Sequence, residues 1–211
     1  MKEFMITING FPYTATNEET ILDICRKNNI FIPTFCQDER FTSDGSCRMC
    51  VVEVNGTKAL QTSCTLHPQE GMVINTLSED VIIARREILK MIWSKHPGKC
   101  ENCDSTGKCI LESYLYKYDI PKERAYPSKK TSITKQDNPY FELESEKCIL
   151  CNKCFNICAT IDVGNAISLE GKNNDPSIVF RFEDGKDYAH CLTCGECISI
   201  CPTGAIKSKK K

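Results

Sequence analysis

The chain has 211 residues, 41 % of them hydrophobic, and its 27 basic and 28 acidic side chains leave a net charge of −1. That length allows one large or two small domains, and the charge balance excludes nucleic acid or an anionic membrane as the main partner. No apolar run approaches the roughly 18 residues of a membrane span. Met1-Lys2-Glu3-Phe4 has neither an apolar core nor a twin arginine, so no export signal is expected and the chain is read as cytoplasmic. The excess is in cysteine, with sixteen of them. In a secreted chain these would be disulfides; in a reducing compartment the same density points to metal.

The first elements are strands around a helix. Phe4 to Ile8 alternates loosely, Asn9-Gly10 is a type I′ hairpin signal, and Phe11 to Thr14 returns. Thr16-x-x-Glu19 predicts a capping box that opens a helix through about Lys27. Further strands are predicted at Val51–Val54, turned by Asn55-Gly56, and near Met72–Ile74. Strands about one helix, with a cysteine-rich loop between them, predict a β-grasp [2Fe–2S] ferredoxin domain over residues 1–77. From Glu79 to about Ser94 the pattern turns helical, with Val81, Ile82, Ala84, Ile88, Leu89, Ile92 and Trp93 near one face. A second helix is predicted from Lys108 to about Tyr118. Residues 78–120 are therefore a helical domain, and the Pro-, Lys- and Ser-rich stretch 121–140 is a connector. Residues 141–206 form a further domain in which C-x2-C-x2-C-x3-C occurs twice, with a strand at Ile178–Phe182 and an inserted hairpin across Gly171–Gly185. Residues 207–211 read as a solvated basic tail. The fold class is α+β.

Fifteen cysteines and one histidine fall into four groups of four. The first is Cys36, Cys47, Cys50 and Cys64, a central C-x2-C flanked by two distant cysteines. It fits a [2Fe–2S] cluster, with Asp44-Gly45-Ser46 supplying a tight loop, and zinc is the competing metal. The second is His96, Cys100, Cys103 and Cys109, spaced for a [4Fe–4S] cluster. A neutral imidazole in place of a thiolate reduces the negative charge, which favours a higher potential. The last two are Cys148-x2-Cys151-x2-Cys154-x3-Cys158 and Cys191-x2-Cys194-x2-Cys197-x3-Cys201. Such a turn brings sulfurs to one concave side of the backbone, with N–H groups available to donate to cluster sulfur. This is the duplicated pattern of a two-cluster bacterial ferredoxin, in which the fourth cysteine of each run serves the other cluster. That pattern implies one [4Fe–4S] set of Cys148, Cys151, Cys154 and Cys201, and another of Cys191, Cys194, Cys197 and Cys158. Cys158 departs from the pattern in being followed by Ala159, where Cys201 has Pro202.

Other candidates have plainer readings. Cys25, beside Ile21, Leu22 and Ile24, is a small buried residue. His67 and His190 lack a ligand set around them. Arg48 and Met49, inside the first C-x2-C, cover the cluster or donate to it. The 79–94 helix is core, with Trp93 a candidate for an interface.

With these residues in view, Ile30-x-Ile32-Pro33-Thr34-x-Cys36 and Cys47-Arg48-Met49-Cys50-Val51-Val52-Glu53-Val54 resemble the opening of the large iron–sulfur subunit of respiratory complex I. His96-x3-Cys100-x2-Cys103-x5-Cys109 is similar to the His-ligated site of that family. The eight-cysteine C-terminal region instead resembles the accessory domain of [FeFe]-hydrogenases, the small diaphorase subunit of NAD-reducing hydrogenases and the N-terminal part of some NAD-dependent formate dehydrogenases. The resemblance covers about residues 1–206. It implies a non-catalytic electron-transfer subunit of an NAD(P)-linked oxidoreductase complex with one [2Fe–2S] and three [4Fe–4S] clusters. The implied partners are a flavin-containing NAD(P) subunit and a hydrogenase, formate dehydrogenase or ferredoxin-linked subunit. No GxGxxG loop for a flavin or nicotinamide occurs in the chain, and no further cysteine set precedes Lys211, so a separate subunit is the expectation. The alternatives are the N-terminal region of a longer [FeFe]-hydrogenase, a free polyferredoxin carrier and an iron–sulfur redox sensor. No side chain is expected to do acid–base or nucleophilic work.

Overall fold

The structure, a computed structural model, describes residues 3–121, 123, 141–161, 166–172, 175–181, 191 and 194–209. It mixes helix and sheet, and it divides into two compact units. One comprises Met1–Gln37 and Thr42–Leu89, the other Asp38–Phe41 and Lys90–Lys211. The 121–140 connector, apart from Pro121 and Glu123, lies outside the described residues, as do Phe182, Gly185 and His190.

In the first unit, β1 (Glu3–Ile8) and β2 (Phe11–Thr16) form an antiparallel hairpin in which Ile8 faces Phe11. Its turn residues Asn9 and Gly10 have φ of 52° and 85°, as a type I′ turn requires. The Asn9 side chain also grips Thr76, donating to Thr76 Oγ1 and accepting from the Thr76 N–H, both at 2.8 Å. With β3 (Val51–Val54), β4 (Gln61–Thr62) and β5 (Val73–Asn75) the hairpin makes a five-stranded sheet in the order β2-β1-β5-β3-β4. Strand β5 runs parallel to β1, and the other pairs are antiparallel. Helix α1 (Ile21–Lys27) packs Ile21, Leu22, Ile24 and Cys25 into a core with Ile6, Ile8 and Ile74. Each such aliphatic side chain contributes about 1.5–3 kcal/mol by leaving water.

The cap of α1 differs from the sequence reading. Thr16 and Glu19 do bond, the Thr16 hydroxyl donating to Glu19 at 2.9 Å, but they close a turn ahead of the helix. The N-cap is Thr20, whose capping box with Asp23 has Thr20 N–H donating to the carboxylate at 2.9 Å and Asp23 N–H to Thr20 Oγ1 at 3.2 Å. Two such boxes stand four residues apart in the sequence. The later one directly precedes the apolar positions and opens the helix with Ile21 and Leu22 already buried.

Helix α2 (Glu79–Lys95) buries Val81, Arg85, Leu89 and Trp93, a stripe of side chains four residues apart. Arg85 breaks the apolar face expected from the sequence. It is 1 % exposed and donates to Thr76 O at 3.1 Å and Val51 O at 2.8 Å. A buried guanidinium is tolerable because its fixed fork satisfies carbonyls that the sheet leaves open.

In the second unit, α3 (Ile110–Lys117) is followed by β6 (Phe141–Leu143), α4 (Lys153–Thr160), the antiparallel hairpin of β7 (Ile167–Lys172) and β8 (Asp175–Phe180), α5 (Glu196–Ser199) and β9 (Ile206–Ser208). Strands β6 and β9 pair antiparallel. The strand expected at 178–182 begins earlier, at Asp175. Its Pro176 is accommodated because a two-stranded hairpin leaves one side of each strand unpaired. Lys207, expected in a solvated tail, lies in β9. Its ammonium reaches Asp104 at 2.6 Å and also pairs with Glu144, and these carboxylates, Asp104 first, hold it above the usual lysine range. The apolar core around Phe141, Ile178, Phe180 and Ile206 includes Cys154, Cys191 and Cys197 among its members. Among the described residues, no helix is long and apolar enough to cross a membrane.

Replacing Arg85 by alanine strands Thr76 O and Val51 O in a dry core. The expected loss is about 3 kcal/mol, read as a lower midpoint in anaerobic guanidinium unfolding of the cluster-loaded protein. A midpoint within error of the parent would show that these bonds are not structural.

Candidate metal centres

Cys36, Cys47, Cys50 and Cys64 converge in the first unit. Cys50 Sγ lies 3.3 Å from Cys64 Sγ, and the Phe35 N–H donates to Cys47 Sγ at 3.4 Å. Cys36, Cys50 and Cys64 are at most 3 % exposed. The loop of Cys64 is held by the start of α1, where the N–H groups of Ile21 and Leu22 donate to Leu66 O and Ser63 O at 2.8 and 3.0 Å. These are donors that a helix start leaves without an internal partner. The turn between Cys47 and Cys50 needs Arg48 at φ 60°, with Met49 fully buried behind it. Hydrogen bonds from Cys47 and then Cys64 draw the Cys36 thiol well below its ordinary range, and one from Cys64 lowers Cys50. The donors Cys47 and Cys64 are raised in return, each first by its bond to Cys36. Hydrogen bonds thus link the four thiols in a row, Cys47 to Cys36 to Cys64 to Cys50, whose protons a cluster would displace. Cys25 stands apart. Burial pushes its thiol up to about 12 against the opposing charge of Arg85, as expected of an inert core cysteine.

His96 follows the end of α2 and is 7 % exposed. Its ring stacks on Trp93 at 5.7 Å between centroids. The Gly98 N–H reaches its Nδ1 at 3.5 Å, the outer limit of such a bond. Cys100 and Cys103 bracket one 3-10 turn, with the Cys103 N–H on Cys100 O at 3.1 Å. Cys109 is the N-cap of α3. Burial raises its thiol first, and Glu112 and then Cys100 add to it more weakly, which places the Cys100 and Cys109 sulfurs within electrostatic reach. A cavity of about 990 Å³ is lined by His96, Cys100 and Cys103 and by the Glu142–Lys147 segment.

The repeat in the second unit is crossed. Cys148, Cys151, Cys154 and Cys201 line one cavity. Cys158, Cys191, Cys194 and Cys197 line another. The electrostatics divide in the same way. Burial is the first cause that raises the thiols of Cys148, Cys151, Cys154, Cys191 and Cys197, with Cys151 and Cys197 pushed up to about 12. The further repulsion on Cys148 and Cys151 comes from Cys201, and that on Cys191 and Cys197 comes first from Cys158. Equivalent backbone builds the two turns. Asn152 and Gly195, at matching places in the repeat, have φ of 61° in both cases, and each is the N-cap of the helix that follows. Left-handed backbone favours these two residue types. The Ala205 N–H donates to Cys201 Sγ at 3.3 Å, a donor the spacing did not single out. Thr203 is a further residue missed by sequence reasoning: its hydroxyl fastens the Cys201 loop to Lys147 O at 2.8 Å. His67 is exposed and bonds Glu19 O at 3.0 Å, away from the cysteine groups. Among the described residues no group of three or more His, Cys, Asp or Glu is arranged to hold a single metal ion.

Soft sulfur donors in sets of four, with backbone N–H groups aimed at sulfur, suit iron–sulfur chemistry. The family comparisons agree. Residues 1–79 match a 2Fe-2S iron-sulfur cluster binding domain, 85–124 the NADH-ubiquinone oxidoreductase-G iron-sulfur binding region, and 128–205 a 4Fe-4S dicluster domain. This is an iron–sulfur protein. Zinc, the competing metal for the first cysteine group, gives way to a [2Fe–2S] domain. The iron–sulfur protein is 32 % identical over 204 residues to NADPH-Fe(3+) oxidoreductase subunit alpha of Geobacter sulfurreducens, covering 97 % of this chain and 24 % of that one. It is 32 % identical over 212 residues to NADP-reducing hydrogenase subunit HndD of Solidesulfovibrio fructosivorans, covering 98 % and 36 %. The chain thus spans well under half the length of these curated relatives. Among solved structures, a chain of an NAD+-reducing [NiFe]-hydrogenase in the H2-reduced state superposes with a TM-score of 0.85 at 24 % identity, over 98 % of this chain and 87 % of that one, and so shares its fold.

Because burial raises the thiols of Cys148, Cys151, Cys154, Cys191 and Cys197, loading iron and sulfide there must release protons. Anaerobic reconstitution of the cluster-free protein is expected to weaken as pH falls from about 9 towards 7, the ordinary thiol range being near 8.5. A pH-independent yield of bound iron would contradict this. The turn geometry gives a second expectation. Asn152→Gly leaves stability within error, whereas Gly195→Val loses about 1–2 kcal/mol from backbone strain, since open space surrounds Gly195. Anaerobic unfolding midpoints distinguish the two.

Proposed function

We propose that this chain is the electron-relay component of an NAD(P)-linked oxidoreductase, holding one [2Fe–2S] and three [4Fe–4S] clusters. The β-grasp domain at the N-terminus would hold the [2Fe–2S] cluster on Cys36, Cys47, Cys50 and Cys64. The helical segment would hold the His-ligated cluster on His96, Cys100, Cys103 and Cys109. The ferredoxin-like region would hold two more, on Cys148, Cys151, Cys154 and Cys201 and on Cys191, Cys194, Cys197 and Cys158. The observation that carries the reading is the crossed pair of four-cysteine cavities in the second unit, an arrangement for adjacent clusters rather than for separate metal ions.

When bound, each cluster accepts and releases one electron. The chain's own residues supply ligands, exclude water and set the charge around each site. Burial of the ligand sulfurs and N–H donation to Cys47 and Cys201 are the levers that tune potential. Leu143 lines both the His96 cavity and the Cys148 cavity, which supports neighbouring places for those two clusters in the relay. The NADPH- and NADP-linked relatives favour an NAD(P) subunit at one end, which the sequence resemblance implies to be flavin-containing. A hydrogenase, a formate dehydrogenase or a ferredoxin-linked centre would stand at the other, in a soluble complex of the cytoplasm.

Cys201→Ala tests the assignment. It is expected to remove the electron paramagnetic resonance signal of one [4Fe–4S] cluster and about a quarter or more of the bound iron, while the Cys191-based signal persists. Loss of the Cys191-based signal instead would mean that each run serves its own cluster. Affinity purification from the native cells under anaerobic conditions identifies the ends of the relay. Recovery of the chain alone with its clusters intact would replace the complex subunit by a free polyferredoxin.

A further inference from the structure

One hydrogen bond joins the ligand loop of the His96 site to the ligand loop of the Cys201 site. Cys109 is the N-cap of α3, so the next residue, Ile110, sits at the first helical position and its N–H has no partner inside the helix. That N–H donates to Pro202 O at 2.8 Å, and Pro202 is the residue after Cys201. From one ligand to the other the connection is therefore covalent backbone, interrupted by a single short hydrogen bond. Pro202 and Thr203 are buried, so water does not compete for the acceptor.

Three neighbouring features hold the two loops in this register. Gly204, at φ 62°, lies directly against Ser105. A Cβ there would collide with Ser105 Oγ and lie 3.1 Å from Ser105 Cβ, so glycine sets the approach. Lys207 pairs with Asp104 at 2.6 Å. Thr203 fastens the same loop to Lys147 O, next to Cys148. The other visible route is side-chain contact, through Leu143, which lines both cavities. Electron tunnelling decays more slowly along bonds and short hydrogen bonds than across van der Waals gaps.

We propose that the Ile110–Pro202 hydrogen bond is the electronic bridge between the His96/Cys100/Cys103/Cys109 cluster and the Cys148/Cys151/Cys154/Cys201 cluster, with Gly204 as the residue that positions it. This rests on the ligand assignment under Proposed function. In the step, one cluster loses one electron and the other gains it, with no bond made or broken and no net proton transfer.

Ile110→Pro removes the donor at the one helical position where proline is accommodated. Cys109, at φ −78° and ψ 120°, already has the backbone that precedes proline. Gly204→Ala opens the same contact from the other side, through collision with Ser105 and through strain at φ 62°, and adding Ser105→Gly to it removes the collision alone. The anaerobic, cluster-loaded protein and its variants would be photoreduced, freeze-quenched and followed by electron paramagnetic resonance as the electron redistributes between the two [4Fe–4S] signals. Iron and sulfide content and midpoint potentials would be measured alongside. The expected result is a severalfold slower redistribution in Ile110→Pro and in Gly204→Ala, with content and potentials unchanged, and partial recovery in the Gly204→Ala, Ser105→Gly double variant. A parent-like rate in either single variant with its clusters intact would overturn the bridge, as would slowing confined to Leu143→Ala. Absence of the His-site signal from the unsubstituted protein would instead overturn the ligand assignment beneath it.

Discussion

Crowding buried thiols is the constraint on which this structure turns. A thiolate in a dry site is unfavourable, and several within contact of one another are worse. In the second unit burial raises the thiols of Cys148, Cys154 and Cys191 and pushes Cys151 and Cys197 up to about 12. In the first unit the thiols respond by sharing protons among Cys36, Cys47, Cys50 and Cys64. Iron removes the penalty by supplying positive charge where the protons were. Cys154, Cys191 and Cys197 belong to the same core as Phe141 and Phe180, so binding the cofactor and completing the core are one event.

Local backbone does the rest of the work. Most of the C-x2-C turns that the structure describes fully use left-handed backbone to turn their sulfurs inward. Arg48 does so in the first unit, and Leu150 and Asn152 in the first half of the repeat, whereas Cys100-x2-Cys103 closes on a 3-10 turn with no positive φ inside it. Gly195 repeats the geometry of Asn152 with a residue that has no side chain to strain. The same logic places glycine at 204, for a different reason. There the neighbouring loop leaves no room for a Cβ, and the approach it permits is what brings Ile110 to Pro202.

The cysteine groups could be read from the sequence because ligand spacing is local: a C-x2-C turn needs nothing beyond its own four residues. The β1–β2 hairpin was legible for the same reason, its Asn9-Gly10 turn being fixed by two backbone angles. What escaped is what long-range contacts decide. Arg85 sits on an apolar stripe, and only the positions of Thr76 O and Val51 O make a cation acceptable there. Strands β4, β6 and β9 are two or three residues long, too short for alternation to register. Lys207 reads as tail until β6 pairs with its strand and Asp104 and Glu144 take its charge. Thr16 and Thr20 offered equivalent caps, and packing of Ile21 and Leu22 chose between them.

The crossed cavities also constrain how the molecule can be assembled. Cys148, Cys151 and Cys154 share their cavity with Cys201, which lies 47 positions further along the chain than Cys154. While the protein is being synthesised, the first three thiols leave the ribosome well before the fourth, and Cys158 waits in the same way for Cys191 and its neighbours. Neither crossed site can close on a partial chain. The delivery machinery would therefore meet a chain already synthesised past Cys201, and the interval in which open sulfur sets are exposed to oxygen is set by translation of the intervening hairpin.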